Sequence, residues 1–189
     1  MDGYGRFGRY EQGNGVVPIE WLVVDQSESE QLLLSKYGLD CRSYKLKYQE
    51  TYWAKSSLRL WLNKTFLSTA FSESEQMRIR KSLVEAQPNP EYDTDPGSSP
   101  KDKIFLLSIV EAEIYFDSFL DRRCMPTPYA KQKVGNTLLT SYCWWWLRSP
   151  GSGGSRAAIV DNTGAIRLDG RLVNDGRIVV RPALRLSLK

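Results

Sequence analysis

Three consecutive tryptophans, Trp144, Trp145 and Trp146, run directly into Leu147-Arg148-Ser149-Pro150-Gly151. Indoles bury most of their surface in a stable fold, so a core has to close around this point with at least two of the three inside. In a strand, Trp144 and Trp146 share one face and Trp145 takes the other. An indole left outside can line a binding groove, as exposed aromatics do for sugars and peptides, and Trp144 is the candidate. Pro150 holds Ser149 extended, and Gly151 permits a tight exit. Arg148 is expected to serve structure, paired with a buried acid or with backbone carbonyls.

Short β runs follow this anchor. They are Ala157–Val160, Ala165–Leu168, Arg171–Val173 and Arg177–Val180, separated by turn signals at Asp161-Asn162-Thr163-Gly164, Asp169-Gly170 and Asn174-Asp175-Gly176. Val180–Leu186 alternates as a last strand. The expected arrangement is a C-terminal β-meander in which Asp161, Asp169 and Asp175 form turns and do not ligate metal. No loop concentrates carboxylates as a calcium loop does. Gly151-Ser152-Gly153-Gly154-Ser155 lacks the phosphate-loop pattern and no helical pattern follows it, so nucleotide binding is rejected.

From Ser149 to Leu188 there is no Lys, Glu, Gln, Met or Trp, although these five types make up 38 of the 189 residues. A window of this length should hold about eight of them. They are also the five types that no pyrimidine-ended codon encodes. From Leu147 onward Tyr, Phe, His and Cys are absent too, although such codons do encode them. A Gly-rich meander of simple composition therefore stays open as an alternative explanation.

Upstream, Val16–Val24 and Gln31–Ser35 read as two strands joined by the polar linker Asp25–Glu30. Pro18 removes a ladder donor and favours an edge or strand-start position. Ser56 or Ser57 caps a helix whose Leu58, Trp61, Leu62 and Phe66 share a face. Ser72-Glu73-Ser74-Glu75 is a capping box for a second helix through Met77, Ile79 and Leu83. Gln87–Lys103 contains four prolines and reads as a long loop, the best place for local disorder. Ile104–Leu107 reads as a short buried strand. Ser108–Glu111 is another capping box, for a helix through Tyr115 and Phe116. Arg122–Pro128 breaks it, and Tyr129–Val134 adds one more turn. The class is α+β, with small antiparallel sheets and two or three helices in a single domain over residues 1–189. Both chain ends read as strands placed to lie close together.

At 41% hydrophobic and 25% charged, the chain is globular. Its net charge of +4 is scattered, with no block of five or more Lys or Arg, which reads as a solvated surface and not a nucleic-acid interface. The absence of His removes Ser-His-Asp and Cys-His catalysis and most zinc or iron sites. Cys41, Cys124 and Cys143 are odd in number and widely spaced, which reads as buried free thiols. No apolar run reaches membrane-spanning length. The polar start Met1–Arg6 has no signal core, which points to a cytoplasmic or phage-associated chain or an excised domain. A distant carboxylate pair for glycoside hydrolysis stays open, with nothing pointing to it.

Phrases along nearly the whole chain resemble a bacterial and phage domain family of uncharacterised function. They are Phe7–Tyr10, Pro18–Trp21, Leu32–Ser35, Ser57–Asn63, Ala70-Phe71, Asp102–Ser108, Trp145–Gly151 and Val180–Leu184. That family in turn resembles proteins of C-type-lectin-like fold, near the formylglycine-generating enzymes. The resemblance implies two functions. One is a ligand-binding module, including the variable protein of a diversity-generating retroelement. There, error-prone reverse transcription rewrites adenines in AAC and AAT codons and leaves codons that end in a pyrimidine. The other is oxidation of a client cysteine, which needs two copper-binding cysteines near the C-terminus, whereas none follows Cys143 here.

The expectation is a noncatalytic C-type-lectin-like domain with no cofactor and no metal. Its variable recognition region spans residues 144–180. Exposed positions expected to contact ligand are Ser152, Ser155, Arg156, Ile159, Asp161, Asn162, Arg167, Leu168, Asp169, Arg171, Leu172, Asn174, Asp175 and Arg177. Trp144 is the groove aromatic. Trp145, Trp146, Leu147, Arg148, Pro150, Arg181 and Pro182 form the scaffold. The arginines favour an acidic protein or glycan partner, and neither nucleic acid nor a membrane span is expected. The alternative is an invariant structural or adhesion module of a phage or cell-surface assembly.

Overall fold

The computed structural model describes residues 4–135 and 141–188, and of Tyr4 the backbone alone. Met1 to Gly3, the head of the polar start, lie outside the described residues. β1 (Tyr4–Glu11), β2 (Val16–Gln26) and β3 (Glu30–Ser35) form an antiparallel meander, and β2–β3 is the expected hairpin. Arg9 of β1 sits opposite Pro18, whereas β3 pairs with β2 only from Trp21 onward. Pro18 therefore lies where β2 has a single neighbour, in keeping with its missing N–H. The last strand, β12 (Ala183–Ser187), inserts between β3 and β7 (Ile104–Phe105). The first sheet thus runs β1-β2-β3-β12-β7, antiparallel throughout.

The second sheet carries the site. Its order is β10 (Ile166–Leu172), β9 (Arg156–Val160), β8 (Trp145–Pro150), β11 (Val179–Val180), β4 (Asp40–Cys41). The expected C-terminal meander is cut to the three strands β8, β9 and β10. β11 crosses to the far side of β8 and pairs parallel to it, and β12 leaves for the first sheet. The reason is burial: Val179, Val180, Ala183 and Leu184 are all sequestered, so these strands fit sheet interiors and not a half-solvated edge.

Asp169-Gly170 is likewise not a turn between two strands. β10 runs unbroken through it, and its register with β9 shifts between Arg167 and Arg171. Gly170 has φ +69°, so the turn chemistry is spent on a bulge inside one strand.

Every α-helix is short, and they are more numerous than expected. Ser56 caps α1 (Ser57–Trp61), which continues through a π turn (Leu62–Phe66) into α2 (Leu67–Ala70). Leu58, Leu62 and Phe66 face the core as the spacing requires, while Trp61 is half-buried. The Ser72–Glu75 capping box forms, yet α3 (Glu73–Arg78) stops at Arg78. Ile79 instead bridges Leu186, and β5 (Ser82–Leu83) pairs with β6 (Lys101–Asp102). Met77 and Leu83 are exposed, so the three apolar residues never formed one helical stripe. The Ser108–Glu111 box heads α4 (Ile109–Ile114), and Thr127 caps α5 (Pro128–Val134).

The proline-rich loop is docked, against the expectation of disorder. Asn89 is buried, and its Nδ2 donates to Pro150 O at 2.8 Å and to Leu168 O at 2.9 Å. Thr94 Oγ1 donates to Gly151 O at 2.9 Å. Composition reports the missing regular structure but not these long-range tethers. No helix among the described residues is long and apolar enough to cross a membrane.

Candidate ligand-binding site

The scaffold residues lie where the sequence puts them. Trp145, Trp146, Leu147, Arg148, Pro150, Arg181 and Pro182 are all buried. Trp145 Nε1 donates to Arg122 O at 3.1 Å and Trp146 Nε1 to Arg42 O at 2.8 Å, so both indoles satisfy their one donor inside the protein. Arg148 finds both kinds of partner foreseen for it. Its guanidinium pairs with the Glu111 carboxylate and donates to Leu106 O and Glu85 O. Arg181 donates to Ser35 O at 2.9 Å and to Arg122 O at 3.2 Å, and lies 4.9 Å from the Trp145 ring centre.

Trp144 precedes β8 and escapes its alternation. It is half-buried, at the edge of a pocket of about 150 Å³ whose walls are Trp144, Ile159, Asp161, Arg167, Asp169 and Arg171, with Gly170 between the last two. The β10 bulge builds this pocket. Arg167 opposes Ile159 and Arg171 opposes Ala157, so four steps along β10 match two along β9, which re-aims the side chains between them. The Arg171 guanidinium lies over the Trp144 ring, 4.0 Å from its centre, and Trp144 Nε1 donates to Asn162 Oδ1 at 3.1 Å. Arg167 Nε reaches Asp169 Oδ1 at only 3.5 Å, and both side chains are about half exposed. The arrangement presents a π face flanked by two exposed guanidiniums, groups with the chemistry to meet a carboxylate, a phosphate or a hydroxyl-rich ring.

Of the fourteen predicted contact positions, the fold brings five into this pocket: Ile159, Asp161, Arg167, Asp169 and Arg171. Asn162 joins them through Trp144. Two of the five are not the exposed positions expected. Ile159 is 1% exposed and forms the floor, because β9 is covered on both faces. Asp161 is 8% exposed, and its Oδ1 accepts from Thr163 N at 2.8 Å and Ala165 N at 3.2 Å. That is the turn-forming role read for it. Leu168 is half-buried against the core, and its carbonyl holds Asn89.

The remaining candidates lie elsewhere. Asn174 receives Ser43 Oγ on its carbonyl at 3.0 Å. Asp175 and Arg177 pair with each other at 2.9 Å, and the Arg177 guanidinium holds the Asp175 carboxyl below its ordinary value. Leu172 is exposed, Ser155 O accepts from Val173 N, and Arg156 Nη1 reaches Gly170 O at 2.9 Å. Ser152 lines a separate depression of about 490 Å³ with Tyr52, Lys55 and Asp93. Local sequence carries no signal for that depression, since three distant loops make it. Thr51 N donates to Gly154 O at 2.8 Å to join two of them.

The cysteines are buried free thiols, as expected of them. Cys124 and Cys143 face each other across an isolated antiparallel bridge, with Cys143 N donating to Cys124 O at 2.9 Å, which their spacing does not reveal. Burial pushes the Cys143 thiol well above its ordinary value, and burial together with the Asp40 charge pushes Cys41 up to about 12.

Residues 28–188 match the model of a family described as a domain of unknown function, DUF6273. The chain belongs to the DUF6273 family. The match takes in β3 to β12 and hence both pockets above, while β1 and β2 lie ahead of it and extend the first sheet of this DUF6273 domain. No curated protein and no solved structure matches the chain.

Proposed function

We propose that this DUF6273 domain is a noncatalytic ligand-binding module of C-type-lectin-like architecture, the variable protein of a diversity-generating retroelement. Its contact surface centres on the Trp144 pocket. One observation carries the reading: residues 149–188 lack every amino acid that a pyrimidine-ended codon cannot encode. The geometry supports it, because exposed Arg167, Arg171, Asn162 and Leu172 can change without touching buried Trp145, Trp146 and Arg148. The α+β arrangement, with two five-stranded sheets and short helices, is compatible with the lectin-like architecture. The pocket's guanidiniums and indole suit an acidic protein or glycan.

The test is deep sequencing of the gene's 3′ end, roughly the last 150 bases, across a natural population. Substitutions concentrated in the codons of the exposed hairpin positions, with a template repeat and a reverse transcriptase gene nearby, are the expected result. A uniform 3′ end would overturn diversification and leave an invariant binding or adhesion module.

A further inference from the structure

A third concavity lies between the α1–α2 run and the β5–β6 ribbon, with a volume of about 310 Å³. Five cationic side chains line it, Arg59, Lys64, Lys81, Lys101 and Lys103, against one acid, Asp102. That acid is already committed. It is 1% exposed, takes Arg59 Nη2 at 2.7 Å, and accepts from Trp53 Nε1 at 2.9 Å. Lys103 donates to Gln76 O at 2.5 Å, which fixes its place and leaves its charge uncompensated. Lys64, Lys81 and Lys101 are exposed and have no acidic partner among the described residues.

The ribbon concentrates the charge. Ser82 pairs with Asp102 and Leu83 with Lys101, and one further step in that register sets Lys81 across from Lys103. Like charges facing each other across a two-stranded ribbon are destabilising, and no carboxylate among the described residues pairs with Lys81, Lys101 or Lys103. An uncompensated cationic wall is the complement of an oxyanion.

We propose that this concavity binds a phosphate group carried by a small soluble molecule. A doubly charged phosphoryl group matches several ammonium groups, whereas a carboxylate needs only one. The cations ring a single hollow instead of forming the long basic stripe that tracks a nucleic-acid backbone. Leu60 and Leu67 form an apolar lip beside it, where the body of the ligand can rest. The hollow shares no lining residue with the Trp144 pocket, so the proposal stands apart from the ligand-binding reading above.

The experiment is isothermal titration of the full chain with inorganic pyrophosphate, at an ionic strength held constant with sodium chloride. Saturable one-to-one binding is expected. The triple variant Lys64→Gln/Lys81→Gln/Lys101→Gln should lose at least about tenfold in affinity. The matching Lys→Arg triple should keep it, and Lys47→Gln, at an exposed position that lines neither pocket, should leave it unchanged. All three lysines are exposed, so the variants should fold, and a melting curve checks this. Absence of saturable binding, or equal affinity in the Gln triple, overturns the site. Tighter binding of an oligonucleotide or of anionic vesicles, with a steep salt dependence, overturns the small-molecule assignment in favour of a polymer or membrane surface.

Discussion

The Arg171 guanidinium stacks on Trp144, 4.0 Å from the ring centre. The contact joins the residue before β8 to the far strand of its meander, across the bulge at Gly170, and so fixes the one partly open indole of the triplet. Stacking at an exposed site is worth about 0.5–1 kcal/mol. Arg171→Ala should therefore change Trp144 fluorescence and ligand affinity while barely altering stability. Replacing Arg167, Arg171 and Arg177 together by Ala should cost about 1 kcal/mol, because their ion pairs are solvent-screened, and lower Tm by about 2–4 °C. A fall of ~10 °C in a thermal melt would make these arginines structural and remove them from the recognition surface.

Arg148 behaves in the opposite way. It is 5% exposed, and Glu111 is its only acidic partner among the described residues. Glu111→Ala strands a buried cation and should cost about 3–5 kcal/mol, read as a lower urea midpoint. Arg148→Met combined with Glu111→Leu should recover much of that loss, since an apolar pair of similar volume leaves no charge behind. If Glu111→Ala and the double variant unfold at the same urea concentration, the pair is not what holds β8 against α4.

Gly170 is the position where a single methyl group should do most harm to the pocket. Its φ is +69°, and a Cβ there would stand 2.3 Å from Ala157 O. Gly170→Ala should cost about 1–3 kcal/mol and should also weaken ligand binding, because the bulge aims Arg167 and Arg171. Gly153→Ala is the control: its Cβ would meet nothing within 4 Å, and its stability should match the parent. Equal behaviour of the two variants would contradict the bulge geometry.

Stability should fall at alkaline pH. Burial raises the folded-state values of Cys41, to about 12, and of Cys143, Tyr10 and Tyr44. In the unfolded chain these groups ionise near the ordinary values of 9.0 for Cys and 10.0 for Tyr. A raised folded value means the contribution is complete below the unfolded value and is lost as pH climbs toward the folded one. Urea midpoints should stay flat through pH 8 and drop steadily from pH 9 to pH 11, with the native Cys41 and Cys143 thiols resisting alkylation below that window. A midpoint that holds to pH 11 would mean the thiols and phenols are open to solvent.

Much of this architecture is legible along the chain because its causes are local. The Ser56, Ser72 and Ser108 caps need only a hydroxyl and a spacing of three residues, and all three form. The β2–β3 hairpin and the Asp161–Gly164 turn rest on alternation and turn chemistry, and both are present. Ile79 went astray because its bridge partner, Leu186, lies more than a hundred residues away. Asp169-Gly170 misled because a glycine at positive φ serves a turn and a bulge equally well.

By itself the sequence determined the class, the buried tryptophan scaffold, the helix starts and the composition bias of the last quarter. Those follow from side-chain size, hydrogen-bonding capacity and spacing, which act over a few residues. The tertiary structure alone decided which strands pair, that β12 returns to β3, that Ile159 and Asp161 are covered, and that Trp144 meets Arg171. It alone gathered Lys64, Lys81 and Lys101 around one hollow. These depend on which segments exclude water from one another, and that choice is made across the whole chain at once.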